Sequence, residues 1–262
     1  MLAELENLSL QDQFEELIST GDQVRIQEFL NNQNISDVAQ LVSENEAYEN
    51  QIISSLSPHR AVSTFKILDF PEQKRIIQSL PPHKTAEILN ELPADDRTAF
   101  LEELPTEVVR ELIKLLNPDE RKVTLSLLGY PEGSVGRLMT PDYIAVYADW
   151  TVQQVIDHIR EVGKDSETID VIYVINEKGE FVDDIRIREI ILANPGKKVA
   201  DTIDNRYIAL NVHDDQEKAN TIFKMNNRVA LPVVDDHNIL LGIVTIDDVL
   251  WVANEEFSED IQ

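Results

Sequence analysis

The sequence predicts a multidomain chain, α followed by α/β: an N-terminal superhelix of short α-helices, then a tandem pair of small α/β units. Three observations predict it. Leucine recurs every twelfth residue with a proline close behind, a stretch rich in glycine and proline interrupts that pattern near Gly129, and the remainder repeats itself at offsets of 64 and 59 residues.

Leucine stands at 56, 68, 80, 92, 104, 116 and 128, and Pro58, Pro71, Pro81, Pro93, Pro105, Pro118 and Pro131 follow them by one to three residues. Each unit, PADDRTAFLEEL for example, runs proline, then acidic or polar residues, then an apolar face at helical spacing. Proline is tolerated in a first helical turn and acids there oppose the positive end of the helix dipole, so each unit predicts a helix of about two turns. Helices that short must stack, and residues 20 to 128 are expected to form a small solenoid.

The segment GYPEGSVGRLMTPDY holds three glycines and two prolines in fifteen residues, which marks a boundary or hinge. Beyond it, Tyr143-Ile144-Ala145-Val146 recurs as Tyr207-Ile208-Ala209-Leu210. Val174-Ile175 matches Val233-Val234, and Glu189 matches Asp248. The five-residue difference in offset places a longer loop in the first copy near VGKDSETID. Each copy reads strand, helix, strand, turn, strand, helix, with strands rich in Val and Ile. The expected division is residues 1–130 helical, 131–200 hinge and first α/β copy, 201–252 second copy, and 253–262 an acidic exit helix.

The formal net charge is -26, and Arg25 is the one base in the first 50 residues, so nucleic acid is excluded as a partner and small cations are favoured. Absence of cysteine excludes disulfides and thiolate metal sites. The start MLAELENLSLQDQFEEL is acidic where a signal peptide needs a basic, apolar one, and no run reaches the roughly 20 apolar residues of a membrane helix. Enzyme readings lack parts. The five histidines are scattered, there is no HExxH or GxxxxGK[ST], and adjacent acids such as Asp95-Asp96 and Asp247-Asp248 point different ways with no partnered base.

The run Leu231-Pro232-Val233-Val234-Asp235, followed by Leu241-Gly242-Ile243-Val244-Thr245-Ile246-Asp247-Asp248-Val249-Leu250, resembles the second half of a cystathionine-β-synthase (CBS) domain, two of which make a Bateman module. With the Leu-Pro helices, the GRLMTP-like hinge and the exit DDVLWVANEEFSEDIQ, the whole chain resembles the cytoplasmic part of the MgtE family of magnesium transporters or channels. The resemblance implies a dimeric Mg²⁺ sensor that holds a membrane pore closed when the ion is plentiful. It also implies a transmembrane domain after the exit helix, and a place on the cytoplasmic face of the cell membrane. Ile156, Ile159 and Met225 lie on helices that could face the second copy of a homodimer.

Carried over residue by residue, the resemblance implies metal contacts at Asp95 and Asp248 between the helical and CBS parts. Within the CBS pair it implies Asp215 and Glu217 opposite Glu256, Glu259 and Asp260 of the exit helix. Where further acids are expected the chain has Ser63, Ala99 and Asn227. Many CBS pairs also bind ATP or another adenosine nucleotide through a Gly-x-x-Thr/Ser-x-x-Asp turn. The second copy keeps it as Gly242, Thr245 and Asp248. The first has Asp183, Arg186 and Glu189 there, with Arg186 or Arg188 left to meet phosphate and Glu189 to meet ribose. Thr245 followed by acids is equally a helix start. A free-standing nucleotide-sensing adaptor and a purely structural scaffold are the alternatives to a transporter's regulatory region.

Overall fold

The computed structural model describes residues 9–204 and 206–250. The exit-helix acids Glu256, Glu259 and Asp260 therefore lie outside the described residues. Two compact units emerge: residues 9 to 92 with 103 to 121, and residues 93 to 102 with 122 to 250.

The first unit is built of the helices Leu10–Thr20, Gln23–Asn32, Ile35–Glu44, Glu49–Ser55, Pro58–Lys66, Phe70–Ser79, Pro82–Glu91 and Thr106–Leu115, mostly joined by two or three residues; the short 3-10 turn Glu46–Tyr48 lies before Glu49, and the helix Ala94–Glu102 of the second unit lies before Thr106. Those of the leucine-proline period from Pro58 onward have nine or ten residues, nearer three turns than the two expected. The reason lies in the periodic leucine. Leu56, Leu80, Leu92 and Leu116 are extended residues that leave a helix at its last turn, so the connection uses few residues and the helix keeps the rest. A following proline disfavours the helical conformation at Leu80 and Leu92, which ends the helix there. These leucines, with Leu68 and Leu104, are all buried. The period fails at its last member, where Leu127 is buried and Leu128 only half-buried.

Polar stitches repeat as well. Asn31 donates to Ser55 O at 2.9 Å and accepts from Ser57 N at 2.9 Å. Asn90 does the same with Leu115 O and Asn117 N, at 3.2 and 2.7 Å. Each amide satisfies one carbonyl and one N–H that a helix junction leaves without an intrahelical partner.

The second unit contains the duplicated α/β fold. Strands β1 (Ala145–Tyr147), β2 (Val171–Ile175) and β3 (Phe181–Arg186) form one sheet, with β1 parallel and β3 antiparallel to β2. Strands β4 (Leu210–Asn211), β5 (Ala230–Val234) and β6 (Leu240–Thr245) repeat that order in a second sheet. The helices Val152–Val162 and Gln216–Asn226 are equal in length, and both sheets carry a register shift at the same place, Val174/Ile175 and Val233/Val234. Ile156 and Ile159 pack on the first copy's own core, whereas Met225 is exposed.

The copies are interlocked. The segment before the first copy bridges to the second through Ser134–Asp215 and Thr140–Ile243, and the segment before the second bridges back through Lys198–Thr151. Between the sheets, Phe181 N donates to Asn238 O at 2.8 Å, and Arg228 pairs with the mostly buried Asp184.

The helix Ala94–Glu102 belongs to the leucine-proline period in sequence but packs with this α/β unit. Ala94 joins a core with Leu127, Val135, Met139, Val212 and Phe223, and Glu102 pairs with Arg137. Arg97 is fully buried and its Nε donates to Thr124 Oγ1 at 2.8 Å. A hydrogen bond from a buried cation contributes about 1.5–3 kcal/mol. Thr124→Val should lower unfolding stability by about that amount, read as a shift of the urea midpoint at constant slope, with Thr124→Ser recovering most of it. A change below about 0.5 kcal/mol in the valine variant would contradict this role for Thr124.

Candidate functional site

The acids of the second unit converge on Asp248. Strand β6 ends at the buried Thr245, and residues 246 to 250 turn into a helix, which sets Asp248 three residues after the threonine. Thr245 Oγ1 donates to Asp248 Oδ2 at 2.5 Å. Burial, and after it the charges of Asp247, Asp96 and Glu167, push the Asp248 carboxyl up from 3.8 to about 6, against the opposing threonine bond.

Three parts of the chain deliver those charges. Asp247 is the adjacent residue. Asp96 comes from the first turn of Ala94–Glu102, where it and the buried Asp95 sit at the positive end of the helix dipole. Glu167 comes from the longer loop of the first copy, where its N–H donates to Asp142 O at 2.7 Å, while Asp142 N donates to Thr140 Oγ1 at 3.3 Å. The loop is thereby tied to the hinge segment, whose Thr140 is itself paired to β6 at Ile243.

The structure thus brings Asp248 together with Asp96, one residue beyond Asp95, and adds Asp247 and Glu167, to which sequence reasoning gave no role. The extra length of the first-copy loop was the one signal for Glu167. Asp215 and Glu217 are not among the charges that shift Asp248. Asp215 caps the helix Gln216–Asn226 and accepts from Glu217 N at 2.8 Å. Among the described residues no three acidic or histidine side chains stand close enough to form a ready-made metal centre.

The nucleotide motif is complete in the second copy alone. A Cβ at Gly242 would stand 2.6 Å from Thr140 O and 3.1 Å from Met139 Sδ, so the glycine is required by the chain's own backbone packing. Thr245 and Asp248 are bonded to each other, as in a helix start, and the surrounding carboxylates oppose a polyphosphate. In the first copy Arg186, Arg188 and Glu189 are exposed, but Asp183 is buried where the motif has glycine.

The sign of the Asp248 shift gives a pH dependence. Its folded value lies above the unfolded 3.8, so the folded state holds the proton more tightly and ionisation costs stability. That cost is absent below the unfolded value and complete above about 6. In chelator at about pH 8, Asp248→Asn should melt higher than the natural chain, and the gap should close on acidification to about pH 4. A variant that melts lower, or a gap independent of pH, would contradict the crowding.

Known proteins resemble the chain along most of its length. Residues 33–133 match the model of the MgtE intracellular N domain, and residues 135–196 and 199–255 match the CBS domain. The magnesium transporter MgtE of Thermus thermophilus is 39% identical over 136 residues, 52% of this chain and 30% of that protein. That of Bacillus subtilis is 34% identical over 141 residues, 54% of this chain and 31% of that protein. The chain thus matches about a third of the length of these relatives. The crystal structure of the cytosolic domain of the Mg²⁺ channel MgtE in complex with ATP superposes with a TM-score of 0.87 at 32% identity, covering 92% of this chain and 99% of that one. The soluble part of a magnesium transporter gives 0.86 at 25% identity, covering 95% and 99%. With the leucine-proline helices, the interlocked α/β copies and the acid cluster at the end of β6, these matches place the chain in the MgtE family, as its cytosolic N domain and CBS pair.

Proposed function

We propose that the chain is the Mg²⁺-sensing regulatory region of a magnesium transporter or channel, and that it gates ion transport by magnesium-dependent closure of its helical part on the CBS pair. The observation that supports the cation part of this reading is the crowding of Asp248 by Asp96, Asp247 and Glu167, all within the second unit, in a partly buried setting. Two like charges about 4 Å apart repel by roughly 4 kcal/mol at an effective dielectric near 20, and a divalent ion between them reverses the sign. A site of this kind binds weakly and responds to an abundant ion over its working range.

In this reading the regulatory region works as a homodimer attached to its own transmembrane domain at the cytoplasmic face of the membrane. No helix among the described residues is long and apolar enough to cross one. The exposed Met225 is available to the second copy. Asp95, at the same helix start as Asp96, and Asp248 supply one carboxylate from each side of the bridge. Asp215 and Glu217, together with Glu256, Glu259 and Asp260, which lie outside the described residues, are the second group of acids assigned to cations.

Adding Mg²⁺ should raise the melting temperature in proportion to the logarithm of its concentration once the sites fill, and should compact the particle in small-angle scattering. Sodium chloride of equal ionic strength should reproduce only part of both effects. Asp95→Asn combined with Asp248→Asn should remove most of the magnesium-specific part. Identical scattering curves in chelator and in millimolar-range Mg²⁺, or full compaction of the double variant, would overturn the reading.

A further inference from the structure

The two α/β copies meet across an approximate twofold axis. Glu180 bridges to Ile239, its own equivalent at the offset of 59, in an isolated antiparallel pair. On either side Phe181 N donates to Asn238 O at 2.8 Å and Leu240 N donates to Gly179 O at 3.0 Å, and these residues are equivalents as well. Backbone bonds of this kind are indifferent to which copy supplies which strand. The shared core is equally permissive, since Val171 and Phe181 of the first copy pack with their own equivalents Ala230 and Leu240 of the second.

One contact is not indifferent. Arg228, just ahead of β5, pairs with Asp184 of β3, and their side chains are only 15% and 5% exposed. At the same offset Arg228 corresponds to Ile169 and Asp184 to Ile243. The equivalence holds in the structure, where Ile187 N donates to Asp170 O at 2.9 Å and Ile246 N donates to Val229 O at 3.0 Å, the same bond in each copy. Each charged residue therefore has an isoleucine as its twin. Were two first copies to pair across this axis, Asp184 would meet Ile169 in place of Arg228. Two second copies would set Arg228 against Ile243.

We infer that the Arg228–Asp184 pair selects the association of unlike copies and excludes first-on-first and second-on-second pairing between two chains. Both wrong pairings bury a charge with no counter-ion, which is strongly unfavourable, whereas the correct pairing only has to break even. The selection operates through contacts inside the second unit and needs no cation.

Disulfide trapping tests this, because the chain has no cysteine of its own. The flanking bonds make Glu180 and Ile239 a non-hydrogen-bonded pair, a type whose Cα atoms lie about 4.5 Å apart, within reach of a disulfide. Glu180→Cys together with Ile239→Cys should close within one chain. Glu180→Cys alone links two chains where first copies pair, and Ile239→Cys alone where second copies pair. Linked copies meet at an effective concentration on the order of 1 mM, so chains refolded from urea at about 0.1 mM without a selector should mispair in roughly a tenth of molecules. With Arg228 and Asp184 in place the covalent dimer should stay below about one hundredth. Asp184→Ile with Arg228→Ile, and separately Asp184→Asn with Arg228→Gln, should raise it about tenfold at both positions. Ile169→Arg, at an exposed site that leaves the natural pair intact, offers Asp184 a partner in a second first copy. It should raise the bond at 180 by about threefold or more and leave that at 239 unchanged. Melting curves establish which variants fold. A dimer above about a tenth with the natural pair present overturns the inference. So does a gain below about threefold at 180 in every folded variant, or a gain in Ile169→Arg that is equal at 180 and 239.

Discussion

Like-charge crowding at the end of β6 is the constraint to which the rest of the second unit answers. Thr245 closes the strand and gives its hydroxyl to Asp248, but one hydroxyl does not offset burial and the charges of Asp247, Asp96 and Glu167. The fold holds these acids together through contacts elsewhere. The buried Arg97 bonded to Thr124, and Glu102 paired with Arg137, fix the helix that carries Asp96. Hydrogen bonds from Glu167 to Asp142 and from Asp142 to Thr140 fix the loop. Repulsion in one place is sustained by cohesion in several others.

Much of the fold was legible because it is periodic. A leucine every twelfth residue with a proline behind it encodes a buried exit from one helix and the start of the next, and Leu56 through Leu116 behave that way. The duplicated α/β unit was legible from its offsets, whereas the register shift that both sheets share emerged only from the structure. Helix length was underestimated, since a period of twelve does not reveal how few residues the connection needs.

The candidate site was legible only in part, for physical reasons. Asp248 stood out through the resemblance of the run around Thr245-Ile246-Asp247-Asp248 to a CBS domain of the MgtE family. Choosing between Asp95 and Asp96 requires the rotation of the helix about its axis, since neighbouring residues point about 100° apart. Glu167 lies in an aperiodic loop whose position is set by tertiary contacts. Gly242 illustrates a further limit: the same letter serves a phosphate turn or a close backbone approach, and the proximity of Thr140 O decides for the latter. Over the same scaffold the two copies have diverged, one carrying acids around Asp248 and the other burying an acid at Asp183 beside exposed arginines.

The central claim is that a divalent cation relieves the crowding around Asp248. Hydrogen-deuterium exchange resolved along the chain tests it most directly, in chelator with sodium chloride and in Mg²⁺ at equal ionic strength. The account predicts that Mg²⁺ slows exchange selectively in the helix Ala94–Glu102, in the loop around Glu167 and in residues 246 to 250, because the ion joins the elements that repulsion drives apart. Protection that is the same in both salts, or that rises only in segments remote from Asp248, would contradict it.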